Sequence, residues 1–151
     1  MTVAQFLSLA ADMARASLAQ AGVQILAEDD PRRDEILADA LGQDSLEDRL
    51  TVDIVPPEAG QENAGMGAWH IREQAEAHSV LTGRGLVEFI TPDGVVPVIV
   101  EGGDIMVVRR TEHRYLPLTD QRWILRWSGG PTAAFDSSDT GRDSAAWTQV
   151  P

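Results

Sequence analysis

Apolar positions recur at a helical period over residues 3–21. Phe6, Ala10, Met13 and Ser17 share one face, and Leu7, Ala14 and Leu18 lie beside it. Thr2 and Gln5 have capping-box spacing and Gly22 stands where a C-terminal cap belongs, so the spacing predicts a helix over 3–21. Val23 to Leu26 reads as a short strand. Asp30-Pro31 predicts the start of a second helix, about 32–41, which carries Ile36, Leu37, Ala40 and Leu41 and ends at Gly42. Leu50 to Val55 alternates apolar with polar residues and stops at Pro56-Pro57, as a strand would; residues 58–67 have loop composition. From Ala68 the period shortens to two. Strand-like runs follow at Trp69–Arg72, His78–Leu81, Leu86–Ile90, Val95–Val100, Ile105–Val108, Tyr115–Leu118 and Trp123–Trp127. They are separated by Gly- and Asp-bearing breaks. Many short, evenly spaced strands mean a sandwich or barrel. The expected molecule is mainly β, a single domain over 1–136: helices 3–21 and 32–41 beside a β-barrel from about 50 to 136. The Ser-, Gly-, Asp- and Thr-rich stretch 137–151 is expected to be a flexible tail.

Length and composition narrow the function classes. A chain of 151 residues with 43% hydrophobic content has the size of one globular domain. Its net charge of -12 argues against nucleic acid and against an anionic membrane surface. The absence of cysteine excludes a thiol nucleophile, a cysteinyl iron–sulfur cluster and a Cys-type zinc site, and fits a reducing compartment. All 12 basic residues are arginine, which excludes Schiff-base chemistry and a P-loop lysine. The N-terminal stretch is too short and too polar to span a membrane and no basic cluster precedes it, so a cytoplasmic protein is expected. The remaining chemistry rests on three histidines, the carboxylates, Arg, Ser/Thr and one tyrosine.

The histidines all fall in the β-rich half, and two flank Glu76. His70, Arg72, Glu76 and His78 share one parity, so without a bulge they point to one face. Two arrangements satisfy this. The face lies outside and is solvated, or it lies inside and needs a partner for its buried polar groups. A divalent metal is the simplest such partner, and imidazole with carboxylate suits Fe, Mn, Ni, Co, Zn or Cu.

A more specific pattern is superposed on this one. His70-Ile71-Arg72, then Glu76, then Gly83 resembles the first cupin motif. Gly102, the Ile105–Val108 strand and His113 resemble the second. Within the cupins the chain is most similar to acireductone dioxygenase. That likeness adds the turn Gly83-Arg84-Gly85-Leu86, the run Gly103-Asp104-Ile105, and the strand from Trp123 that ends in Gly-Gly-Pro and then Ala-Phe at Phe135. The resemblance spans roughly residues 15–136 and is strongest over 69–115. It implies a jelly-roll barrel with a metal held by His70, Glu76 and His113. Arg72 departs from the pattern, because it stands where the second histidine belongs and a guanidinium does not ligate metals. Val108 and Arg110 replace a proline and a glycine. His78 stands where the family has an arginine, so Arg and His have changed places.

Three site arrangements follow. In one, His70, Glu76 and His113 hold the metal, Arg72 faces an anionic substrate oxygen and His78 is a general base. In another, His78 is a fourth ligand. In the third, Arg72 pairs with Glu76 and the protein is a metal-free cupin that binds a small acid. The resemblance implies a non-haem metal-dependent dioxygenase, with Fe(II) first and Ni, Mn, Co or Zn as alternatives. It would cleave a small enediol or enol with O₂; a cupin isomerase or lyase would use the same metal without O₂. Tyr115 and Trp69 are the further substrate-contact candidates. Trp123 and Trp127 are expected in the core, Glu73, Gln74, Arg109 and Arg110 at the surface, and Gly83-Arg84-Gly85 in a turn. The partners expected are a small molecule and O₂, with a monomer or homodimer as the assembly.

Overall fold

The structure is a computed structural model that describes residues 2–43, 46–133 and 136–150, without the side chains of residues 4 and 6–8. The expected side-chain placements of Phe6 and Leu7 and the expected placement of Phe135 lie outside the described residues. Among the described residues no helix is long and apolar enough to cross a membrane.

Helix α1 spans Val3–Ala21. Its capping box forms as the sequence predicts: the Gln5 backbone N–H donates to the Thr2 hydroxyl at 3.1 Å, and the Thr2 N–H donates to Gln5 Oε1 at 2.7 Å. Gly22 ends the helix at φ 96°, and a Cβ there would collide with the Arg109 carbonyl, so the position needs glycine twice over. The helix is less buried than its pattern suggests. Ser17 and Leu18 dock on the barrel, whereas Ala10 is exposed and Met13 is 63% exposed. The apolar stripe therefore covers the barrel only at the C-terminal end of the helix.

Strand β1 (Val23–Ala27) leads to α2 (Arg33–Leu41). The expected cap at Asp30 is displaced by one short turn. Arg32 occupies the N-cap without a side-chain cap bond, and Asp30 Oδ1 instead accepts the Arg32 N–H at 2.8 Å. The remaining strands are β2 (Arg49–Ile54), β3 (His70–Arg72), β4 (Glu76–Thr82), β5 (Arg84–Thr91), β6 (Gly94–Glu101), β7 (Asp104–Val108), β8 (His113–Pro117), β9 (Gln121–Trp127) and β10 (Ser137–Asp139). A 3-10 turn, Gly65–Gly67, interrupts the loop before β3.

Two five-stranded sheets pack face to face, in the orders β1-β7-β4-β9-β2 and β10-β3-β8-β5-β6. All their pairings are antiparallel. The inner faces supply one core, with Val80, Met106, Val108 and Trp123 meeting Val87, Phe89, Val100 and Tyr115. The alternation of β4 and β7 puts Ala77, Ile105 and Val107 on the outer face, where Leu37 and Leu41 of α2 cover them. This is the expected mainly β barrel with two N-terminal helices.

The outer face of the second sheet is covered by the stretch expected to be flexible. Ser137–Asp139 pairs with β3. Farther on, Arg114 and Glu88, cross-strand neighbours on β8 and β5, form a fully buried ion pair at 2.5 Å. Arg114 also donates to the carbonyls of Ala145 and Ala146 at 3.0 and 3.4 Å. Glu88 Oε2 accepts the Thr148 N–H at 3.0 Å and its hydroxyl at 2.5 Å. The Arg114 guanidinium lies between Trp69 and Trp147, 4.7 and 3.9 Å from the ring centroids.

Candidate metal centre

The parity argument places four polar side chains correctly. His70, Arg72, Glu76 and His78 all line one cavity of about 160 Å³ between the sheets, and His113 lines it as well. His70 and His113 are direct cross-strand neighbours on β3 and β8, with ring centroids 4.4 Å apart. Glu76 and His78 come from β4 in the opposite sheet. Val52, Met106, Trp123 and Leu125 supply apolar walls.

Hydrogen bonds fix two of the imidazoles. His70 Nδ1 lies 2.8 Å from the Ala68 carbonyl and His113 Nδ1 lies 2.7 Å from the Thr111 carbonyl. A carbonyl only accepts, so each ring carries a proton on Nδ1, and in the neutral ring the lone pair is on Nε2. Glu76 sits between two rings: its Oε1 is 3.4 Å from Nε2 of His113 and 3.4 Å from Nε2 of His78. Neither contact is a well-formed hydrogen bond, and both ring nitrogens of His78 are buried without a hydrogen-bond partner. His78 packs edge-on against Trp123 at 4.9 Å.

The electrostatics follow from this enclosure. Burial pushes the Glu76 carboxyl up, but the imidazoles of His113 and His78 outweigh it and hold the carboxyl well below its usual range. Burial pulls His113 down, and the Glu76 carboxylate reverses that, so His113 is raised. His70 is lowered, by burial first and by the neighbouring His113 second, which favours its neutral form. Burial pushes the Tyr115 phenol up. Among the described residues no three His, Asp or Glu side chains are closed around a single point as they would be around an ion.

Arg72 lines the same cavity, and its terminal nitrogens are tied to the backbone. Its guanidinium donates to the backbone carbonyls of Ala75 at 2.7 Å, Ser128 at 2.5 Å and Ala133 at 2.9 Å. It forms no ion pair with Glu76, so the expected Arg72–Glu76 pair of a metal-free site is absent. Arg72 lies in the cavity wall, but its donors tie the β3–β4 turn to the loop after β9. Trp69 is also displaced from its expected substrate contact: it faces the other side of β3 and lies against Arg114. Tyr115 does line the cavity, with its hydroxyl held 2.5 Å from Gln121 Oε1. Glu73 and Arg110 pair at the surface at 3.1 Å. Two cavity residues had no sequence signal: Met66, in a stretch of loop composition, and Ser137, in the expected tail.

No protein-family model matches the chain, and no curated protein matches it either. Solved structures do. Acireductone dioxygenase from Bacillus anthracis, with a cadmium ion in its active centre, matches 78% of this chain and 84% of its own at 16% identity, with a TM-score of 0.52. A DUF861 family protein from Thermotoga maritima covers 70% of this chain and 98% of its own at 17% identity, with a TM-score of 0.45. Hydroxypropylphosphonic acid epoxidase from S. wedmorenis covers 52% of this chain and 41% of its own at 14% identity, with a TM-score of 0.39. At these identities the likeness is one of fold, and the first of them supports a cupin-type barrel.

Proposed function

We propose that this cupin-type barrel is a metal-dependent oxygenase that holds a divalent ion, iron(II) first, through His70, His113 and Glu76. The observation that carries the reading is the pair of imidazoles whose Nδ1 protons are fixed by backbone carbonyls, beside a buried carboxylate in an apolar-walled cavity. The carbonyl behind each ring sets its orientation and leaves Nε2 as the nitrogen that would meet a metal. By donor type the set suits a first-row divalent metal, two imidazole nitrogens and one carboxylate oxygen, once the side chains close on the ion and His113 Nε2 gives up the proton that Glu76 favours.

A bound iron(II) ion would supply Lewis acidity and one-electron chemistry toward O₂. The chain supplies the rest. Glu76 is ionised before any metal arrives, so a cation entering the cavity meets a ready negative charge. His78 has no hydrogen bond at either nitrogen and adjoins Glu76, so Nε2 can accept a proton from a substrate hydroxyl. Val52, Met106, Trp123 and Leu125 exclude water around the reacting oxygens. Arg72 is given no role in this chemistry, because both its terminal nitrogens donate to backbone carbonyls, although its Nε–H is buried without a partner. The substrate class is a small enediol or enol that can offer two oxygens, cleaved with O₂.

The test is elemental analysis of untagged protein purified without oxygen, with Glu76→Gln and His113→Ala in parallel, followed by an oxygen-electrode screen of enediols. The expected result is near-stoichiometric metal in the wild type, its loss in both variants, and metal-dependent oxygen uptake. Wild-type protein that takes up no metal would overturn the whole reading. Metal without oxygen uptake on any enediol would turn it toward an isomerase or lyase.

A further inference from the structure

Three of the four sheet edges are blunted. In the sheet β10-β3-β8-β5-β6, β10 is three residues long, and β6 carries Pro97, which has no N–H to offer a further strand. In the sheet β1-β7-β4-β9-β2, α1 packs against β1. The fourth edge is β2. It runs for six residues in unbroken register with β9, without proline or bulge, and among the described residues its other side pairs with no strand. Leu50 is 38% exposed there, and Arg49, Thr51 and Asp53 are exposed as well.

The charges along this strand are unevenly matched. Cross-strand neighbours share a face of the sheet. Asp53 opposes Arg122 of β9, and the two pair at 2.7 Å. Arg49 opposes Arg126, a like-charge pair, and among the described residues Arg49 has no carboxylate partner. Arg126 is buried and donates to the Ser79 hydroxyl at 3.2 Å. Opposed like charges destabilise a strand pair, so a carboxylate beside Arg49 would be favourable. Asp53 stands on the same face of β2, and its side chain is 65% exposed even with Arg122 bound.

In an antiparallel pair, opposed residues point their backbone N–H groups either both toward the partner strand or both away, and the direction alternates along the strand. A strand that pairs with its own copy therefore opposes only residues of equal parity. Centred on Thr51, such a pair sets Arg49 opposite Asp53 of the second copy, Leu50 opposite Val52, and Thr51 opposite itself. Two-fold symmetry repeats the charge pair and the apolar pair, and all of these are favourable cross-strand combinations. Registers centred on Leu50 or Val52 oppose no unlike charges. We infer that β2 is a homodimer interface: two copies join their first sheets through antiparallel β2 strands, about a two-fold axis at Thr51, held by reciprocal Arg49–Asp53 ion pairs. Arg49 thereby gains the carboxylate that its own sheet does not give it. Val52 lines the first cavity, so the interface is built on a strand that walls the candidate site. The inference does not depend on a metal there.

Five residues from each copy make a small interface, so the dimer depends on concentration. Sedimentation equilibrium of the untagged full chain up to ~1 mM reads it. The expected result is a monomer–dimer equilibrium in the wild type, weakened at least about tenfold in Arg49→Asp and in Asp53→Arg, each of which opposes like charges in its own dimer. Circular dichroism shows that each variant is folded. An equal mixture of the two variants should form heterodimers within about threefold of the wild-type affinity, because an acidic side chain then meets an arginine at both pairs. Wild-type protein that stays monomeric at ~1 mM would overturn the inference. Dimers that either variant leaves intact would place the contact elsewhere, and folded variants that fail to associate when mixed would reject the register.

Discussion

At the scale of single residues, the site depends on which backbone carbonyl each polar side chain meets. His70 and His113 are held by the carbonyl two residues before them, a local contact that leaves Nε2 toward the cavity. Arg72 is held by three carbonyls, two of them more than fifty residues away in sequence. This is why the site was half legible. Strand parity put His70, Arg72, Glu76 and His78 in one cavity, but parity does not say where a long side chain ends. Arg72→Ala would leave those carbonyls without their donor, a loss of about 3 kcal/mol in urea unfolding, with metal content unchanged. A stable Arg72→Ala that lost its metal would return Arg72 to the site. Arg110, where the resemblance expects glycine, adopts φ 52°, so the backbone keeps the glycine-type conformation although the residue has changed.

At the scale of elements, turn chemistry was the readable part. The capping box of α1, the glycine stops and the strand breaks fall where spacing puts them, because each depends on a few neighbouring residues. What a helix covers is set from outside it, and that was not readable: the expected face of α1 carries Met13 into solvent, while Ser17 and Leu18 dock. Gly22 is the hinge of that docking, since it holds a left-handed conformation against the Arg109 carbonyl. Gly22→Ala is expected to cost about 2 kcal/mol. A thermal melt within a degree of wild type would show that the turn relaxes freely.

At the scale of the whole molecule, the C-terminal segment binds the barrel from behind the site. Along β8, His113 and Tyr115 face the cavity, and Arg114 between them faces the segment. A tail of small and polar residues carries no periodic signal, and its docking shows in the structure, in the β10–β3 pairing and in the contacts with the buried Arg114–Glu88 pair. Trp147 also donates to Asn63 Oδ1 at 2.8 Å, in the loop that carries Met66. Burial raises the Glu88 carboxyl, but the bonds from Thr148 and Arg114 outweigh it, and its pKa is lowered. The carboxyl of the unfolded chain titrates near pH ~4.3. A depressed folded value means that this contribution is complete above that pH and is lost as pH falls through the folded value. Trp147 fluorescence should therefore stay constant above about pH 5 and change in acid as the segment releases. Glu88→Gln should remove that acid step. An unaltered step in Glu88→Gln would assign it to another carboxyl.

The pairing of Ser137–Asp139 with His70–Arg72 also covers a strand edge. In the sheet order β10-β3-β8-β5-β6, β10 is the strip that closes one side. A chain cut after residue 136 would leave β3 as a bare edge, with unpaired amides and carbonyls on the strand that carries His70. Two such edges can hydrogen-bond to each other as readily as to a tail. Size-exclusion chromatography should then find concentration-dependent association beyond that of the whole chain, dispersed by a peptide of residues 137–150 supplied in trans. On this argument residues 137–139 shield the strand that carries His70 from a second copy of the chain.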